Sequence, residues 1–274
     1  MKLHYFKPDT ANLNFGDEIN KDLWEYYFPD FFDYNFKDVF FGIGTILRAA
    51  NKFYPKSKII IFGSGSHCSN YLLNNKTEIY FVRGPLTADS LGIAQSYAIT
   101  DPALLIDKVF PVTNPVKKFK FGYIPHFSVE NKEYVKAVKA AGIHFITPNQ
   151  CPKNVIDQIN SCEVIITEAM HGAIVSDAYN IPWIPVFSYK SFNHFKWMDW
   201  AKSLKLEIKI NKLPRLHSKS NIKSNIKRQL FTYKLKKIKN KTQYLSSISL
   251  RQNLKRQLLK EIDKFKKNYK LPLS

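Results

Sequence analysis

The sequence predicts an α/β fold of two parallel-sheet halves followed by a basic helical tail. Three observations carry this. Short apolar, β-branched runs alternate with stretches of helical spacing, the pattern of βαβ units whose strands are covered on both faces. The alternation restarts after the Pro-containing stretch 111–118, which reads as a joint. The net charge of +20 is also unevenly placed: residues 202–274 hold more than half of the 42 Lys and Arg residues but only three acids, Glu207, Glu261 and Asp263. The expected division is therefore 1–112, 113–213 and a tail over 214–274.

Each element has its own signal. Residues 2–6 alternate as a first strand, and a polar loop from Pro8 to Gly16 leads to helical spacing over 17–28. Val39-Phe40-Phe41 reads as a short buried strand, 46–54 as a helix, and Lys58–Phe62 as the clearest strand. A strand over 78–82 ends at Arg83-Gly84-Pro85, and Pro85 suits the first turn of a helix over 86–91. In the second half, strands are expected over 120–126, 143–146, 163–167 and 183–187. Helices are expected between them over 130–141, 152–161 and 170–179. In the tail, Leu250, Leu254, Leu258, Ile262, Phe265 and Tyr269 recur at helical spacing among lysines, as do Ile222, Ile226, Leu230 and Tyr233.

Several classes are excluded. No apolar run reaches the roughly 18 residues of a membrane span, and Met1–Pro8 lacks the apolar stretch of a secretory signal. Cys68, Cys151 and Cys162 are odd in number and form no C-x-x-C pair, against a disulfide framework or a zinc cluster. A cytoplasmic, reduced protein is expected.

In parallel sheets, ligands bind at the carboxyl ends of strands. Small or reactive residues fall there: Gly42 and Gly44, Gly63 and Gly65, Arg83, His126, and Glu168 to Gly172. The Gly pairs either admit backbone N–H groups to a phosphate or are simply tight turns. Arg83 offers a two-pronged fork to an anion, or else sits in a structural ion pair. His171 opens a helix, where the dipole favours anions and an imidazole can move protons, or it is a packed core histidine. Glu168 either charges that imidazole or caps the helix; Asp17 in Asn14-Phe15-Gly16-Asp17 is a cap or a base; Lys190 neutralises a phosphate or is merely solvated.

These segments in order resemble the polysaccharide pyruvyl transferase family. The matching pieces are Asn14–Asp17, Gly42–Leu47, Val82–Pro85, Thr100–Leu105, Gly122–His126 and Met170-His171-Gly172 with Asn180-Ile181-Pro182, covering about residues 3 to 200. The resemblance implies a GT-B-like arrangement, two Rossmann-like halves facing a cleft. It implies transfer of pyruvate from phosphoenolpyruvate to a sugar as a cyclic ketal, commonly across O4 and O6, with release of phosphate. By similarity Arg83 holds the donor, His171 is catalytic, and Lys190 falls near a donor-binding lysine. Many members carry Arg-Leu-His-Gly where this chain has Ala169-Met170-His171-Gly172, so another cation must supply that charge.

The expected site is thus His171, Glu168 and Asp17 for chemistry; Arg83, Lys190, Gly172, Gly44 and Gly65 for the donor; and Asn14 and His126 for the acceptor. His171 would be the acid, and Asp17 or Glu168 the base. No cofactor or metal is expected, phosphoenolpyruvate being a substrate. The acceptor would be a lipid-linked or polymeric saccharide of a bacterial surface polysaccharide. The alternative reading is a GT-B glycosyltransferase using a nucleotide sugar. The tail either docks on an anionic membrane at the inner face of the cytoplasmic membrane, through residues 221–270, or packs on the body. Nucleic acid is disfavoured because the tail lacks aromatic residues spaced as stacking platforms.

Overall fold

The computed structural model describes residues 1–7, 13–33, 35–67, 70–218 and 222–272. Cys68, most of the loop from Pro8, and the side chains of Ile222 and Lys223 lie outside the described part.

Two parallel sheets form. In the first, β1 (Lys2–His4), β2 (Asp38–Phe41), β3 (Lys58–Phe62) and β4 (Thr77–Phe81) lie side by side in chain order. The connections are α1 (Phe15–Tyr27) and α2 (Arg48–Phe53), and α3 (Pro85–Leu91) follows β4. Successive strand residues point to opposite faces, so β2 and β3 feed two separate cores. Phe40, Ile60 and Phe62 pack with Ile19, Leu23 and Trp24 of α1, whereas Val39, Phe41, Ile59 and Ile61 pack with Leu47, Ala50 and Tyr54.

A short helix α4 (Ile106–Val109) precedes the second sheet. There β5 (Phe119–Ile124), α5 (Lys132–Ala140), β6 (His144–Phe145), α6 (Pro152–Asn160), β7 (Cys162–Thr167), α7 (Met170–Ala178), β8 (Trp183–Phe187), α8 (His194–Ser203) and β9 (Asn211–Lys212) follow in turn. Their spatial order is β6-β5-β7-β8-β9, all parallel. The order reverses between β5 and β7, which opens a crevice beyond their carboxyl ends. His126 follows β5 at that point, and His171 follows β7.

Helix α8 and strand β9 have no counterpart in the sequence reading, and β1 ends at His4 rather than residue 6. Helix α1 starts at Phe15, two residues earlier than the spacing of apolar residues suggests.

The tail forms two helices, α9 (Ile222–Ile238) and α10 (Ile248–Asn268). The apolar stripe of α10 is spent on the body: Leu254, Leu258, Ile262 and Phe265 are buried. Phe265 lies 4.8 Å from the ring of Phe28 and 5.4 Å from that of Phe62, so α10 crosses back over the first sheet. In α9 the buried residues are Phe231, Leu235 and Ile238, packed on α5 and β5, while the expected stripe Ile226, Leu230 and Tyr233 faces outward. A buried polar latch holds the tail. Asp177 accepts from Trp183 Nε1, from the Ser246 backbone and hydroxyl, and from Arg251, whose other nitrogen donates to Asn180. Removing one partner of such a buried pair leaves an uncompensated charge, at a cost of about 3–5 kcal/mol. Among the described residues no helix is long and apolar enough to cross a membrane.

Candidate active site

A cavity of about 350 Å³ opens where the carboxyl ends of the two sheets meet. That is within the usual size of small-molecule sites. Three helix N-termini reach its wall: α1 through Asn14, Phe15 and Asp17, α7 through Ala169, Met170 and His171, and α8 through Asn193 and Lys196. The first turns of α7 and α8 contain no acid, and Ala169 offers no side-chain cap to α7. Their N–H groups and dipoles therefore favour a bound anion.

Lys196 adds the charge. It sits one turn into α8, where its backbone N–H is held by the Asn193 side chain. It forms no ion pair among the described residues. Burial, then repulsion from Arg83, lowers its pKa to about 8, with Asp17 pulling the other way. A lysine held without a partner in a cavity is ready for an incoming anion.

His171 is wedged between the halves. A Cβ at position 16 would lie 2.3 Å from His171 Nδ1, so glycine is required for α1 to lie flat against the imidazole. On the other side, Nε2 is 3.9 Å from Asp101 Oδ2, and both atoms are buried without a hydrogen-bond partner. At that distance the carboxyl group faces the ring without a hydrogen bond to it. Burial, helped by Lys196 and Arg83, pushes His171 down to about 3, so the resting imidazole is neutral. Burial drives Asp101 up to about 6 and Asp17 up to about 7. Asp17 is therefore only partly ionised near neutrality, and its Oδ2 accepts from the Asn14 side chain.

Of the residues expected from sequence, the cavity brings together His171, Asp17, Gly44, Asn14 and His126. The others stand behind it or at its edge. Arg83 is fully buried: Nε donates to Asp199 Oδ2 at 3.0 Å and Nη1 to Thr45 Oγ1 at 2.7 Å. Thr45 lines the cavity, so Arg83 acts one side chain away from it. A Cβ at Gly65 would fall 2.1 Å from the Arg83 Cζ, which makes that glycine the cover of the guanidinium. Gly172 packs on the Thr167 side chain. Glu168 is buried beneath the turn, accepting from Tyr123 and from Ser188 at 3.0 Å, and burial raises it to about 7. Lys190 is exposed beside the lining residues Tyr189 and Ser191.

The sequence reading missed Lys196, Asp101 and His67. Asn193 as a helix cap, with Trp197, Trp200 and Leu204 at helical spacing, is the signal that would have revealed α8 and placed Lys196 in its first turn. Among the described residues no group of three or more His, Cys, Asp or Glu side chains is arranged to hold a metal ion.

Fold and cavity together define a two-sheet α/β protein with a cleft lined by a lysine and a buried histidine. The chain belongs to the polysaccharide pyruvyl transferase family, whose pattern it matches over residues 3–191, and it is a transferase of that kind. It is 34% identical over 220 residues to the succinoglycan biosynthesis protein ExoV of Rhizobium meliloti (strain 1021), covering 78% of this chain and 68% of that protein. It is also 24% identical over 196 residues to the uncharacterized protein L143 of Acanthamoeba polyphaga mimivirus, covering 66% of this chain and 65% of that one. No solved structure matches the chain.

Proposed function

We propose that the protein transfers pyruvate from phosphoenolpyruvate to two hydroxyls of a sugar in a surface-polysaccharide precursor, forming a cyclic ketal, across O4 and O6, and releasing phosphate. The observation that carries this is the convergence of the α7 and α8 N-termini with Lys196 on the cavity that holds His171. A small donor with both a phosphate and a carboxylate suits such a field. The two sheets flanking the cavity support the GT-B-like description.

The charge states exchange the roles expected from sequence. Asp17, partly protonated near pH 7, gives its proton to the methylene carbon of the donor. Neutral His171 takes the proton of the attacking hydroxyl, and Asp101 steadies the imidazolium that results. The second hydroxyl then closes the ketal as phosphate leaves with the remaining proton. Lys196 and the helix termini hold the phosphate, filling the place of the arginine absent at Ala169. Arg83 supports them through Thr45. The test is incubation with phosphoenolpyruvate and a panel of glycans, following inorganic phosphate. Release of a nucleotide from a nucleotide sugar instead would favour a glycosyltransferase.

A lipid-linked acceptor would bring the enzyme to a membrane, and the outward face of α9 suits one. Ile226, Leu230 and Tyr233 are exposed there beside Lys227, Lys234 and Lys237, and α9 contains no acid. Apolar side chains bordered by lysines bind anionic lipid interfaces. The α10 stripe, being buried, takes no part. The full chain is expected to float with phosphatidylglycerol vesicles at low salt and to be released as salt rises; protein that stays at the bottom of the gradient removes this surface.

A further inference from the structure

The cavity has a second wall that the donor chemistry leaves unused. Phe6 beyond β1, His126 and Phe127 beyond β5, and Tyr189 beyond β8 all line it. Their rings form an unbroken strip: Phe6 to Phe127 is 6.1 Å between centroids, Phe127 to His126 4.7 Å, and His126 to Tyr189 4.4 Å. Phe6 is 45% exposed, a large apolar ring left at the rim. Burial keeps the His126 imidazole neutral, and its Nδ1 is engaged with the Ser128 hydroxyl, so the strip is uncharged.

We infer that Phe6, Phe127, His126 and Tyr189 form the acceptor subsite, stacking against the C–H face of one pyranose ring and leaving its hydroxyl edge to Asn14, Asp17 and His171. A pyranose is two-sided in this way: its axial C–H bonds carry partial positive charge and meet the negative face of an aromatic ring, while its hydroxyls need polar partners. The cavity supplies both kinds of wall, and the four rings follow three strands, Phe6 in the first sheet and His126, Phe127 and Tyr189 in the second. The second half supplies the continuous run of Phe127, His126 and Tyr189, and the first half extends it with Phe6 at the rim. This inference rests on the pyruvylation reading for the identity of the donor but not for the sugar itself.

Saturation-transfer NMR with methyl glucopyranoside and methyl galactopyranoside tests it without turnover. The intact protein is expected to saturate the ring C–H protons of at least one of them. Phe127→Leu, which keeps apolar volume but removes the ring, should abolish that transfer, and Phe127→Tyr should retain it. In the pyruvylation assay, the Leu variant should raise the acceptor KM by about tenfold or more while leaving the phosphoenolpyruvate KM unchanged. No transfer to the wild type, or equal transfer in wild type and Phe127→Leu at an unchanged melting temperature, overturns the subsite. Transfer that depends on Phe127 in a protein that makes no ketal keeps the subsite and overturns the donor reading instead.

Discussion

Replacing His171 with Ala is expected to lower ketal formation by about 10²–10⁴-fold, the usual contribution of a positioned acid–base group. The imidazole lies between Gly16 and Asp101 and lines the cavity, within reach of a bound substrate, and burial holds it neutral at rest. Because Ala leaves a void beside α1, His171→Asn serves as the second variant: it fills the space without a basic nitrogen and should lose as much activity. Phosphoenolpyruvate should still bind both. The pH profile of the wild type follows from the same groups. His171 titrates near 3 and gives no acid limb in the working range. Asp17 must be protonated and Lys196 charged, so the rate should fall as pH rises through about 7 and again through about 8. Either variant turning over within about threefold of wild type would remove His171 from the chemistry.

The second large effect is expected at Lys196. Lys196→Met keeps the length and removes the charge, and kcat/KM for phosphoenolpyruvate should fall by about 10²–10³, as for loss of one preorganised donor to a developing anion. The acceptor KM should hardly move, because the aromatic wall lies on other segments. Lys196→Arg should recover part of the loss, and the alkaline limb near pH 8 should vanish in Lys196→Met. An unchanged donor KM and kcat in Lys196→Met would show that the α7 and α8 termini bind the donor unaided.

How far the sequence reached is best seen in single residues. The runs at 58–62 and 162–167 are strands buried on both faces, so their apolar composition announced them. Strand β9 is only Asn211 and Lys212; it exists through pairing with Val186 and Phe187, a tertiary fact with no local pattern. His171, Asp17 and Gly44 were legible because strand and helix ends mark the crevice of an α/β sheet. Arg83 was legible as a placed cation with a structural ion pair as one of its two readings; the identity of the partner was not, since Asp199 lies 116 residues away on a helix the spacing does not reveal. Lys196 was lost for the same reason. In the tail, both helices could be read from their periodicity, but α9 carries two apolar sets offset around its axis. Spacing alone picked Ile226, Leu230 and Tyr233, whereas packing on α5 chose Phe231, Leu235 and Ile238.

The protonation states of the site follow from burial rather than from composition. Asp17, Asp101 and Glu168 are all held above the usual carboxylate range because water is kept from them, and His171 and His126 are held neutral by the same cause.

The most direct measurement of the central claim is mass spectrometry of the glycan product together with inorganic phosphate from the same reaction. Purified protein, phosphoenolpyruvate and a glycan with free 4- and 6-hydroxyls should give a product heavier by one pyruvate less one water, with one phosphate released per product. Phosphate release with no change in the glycan mass, or product formed only from a nucleotide sugar, would contradict it.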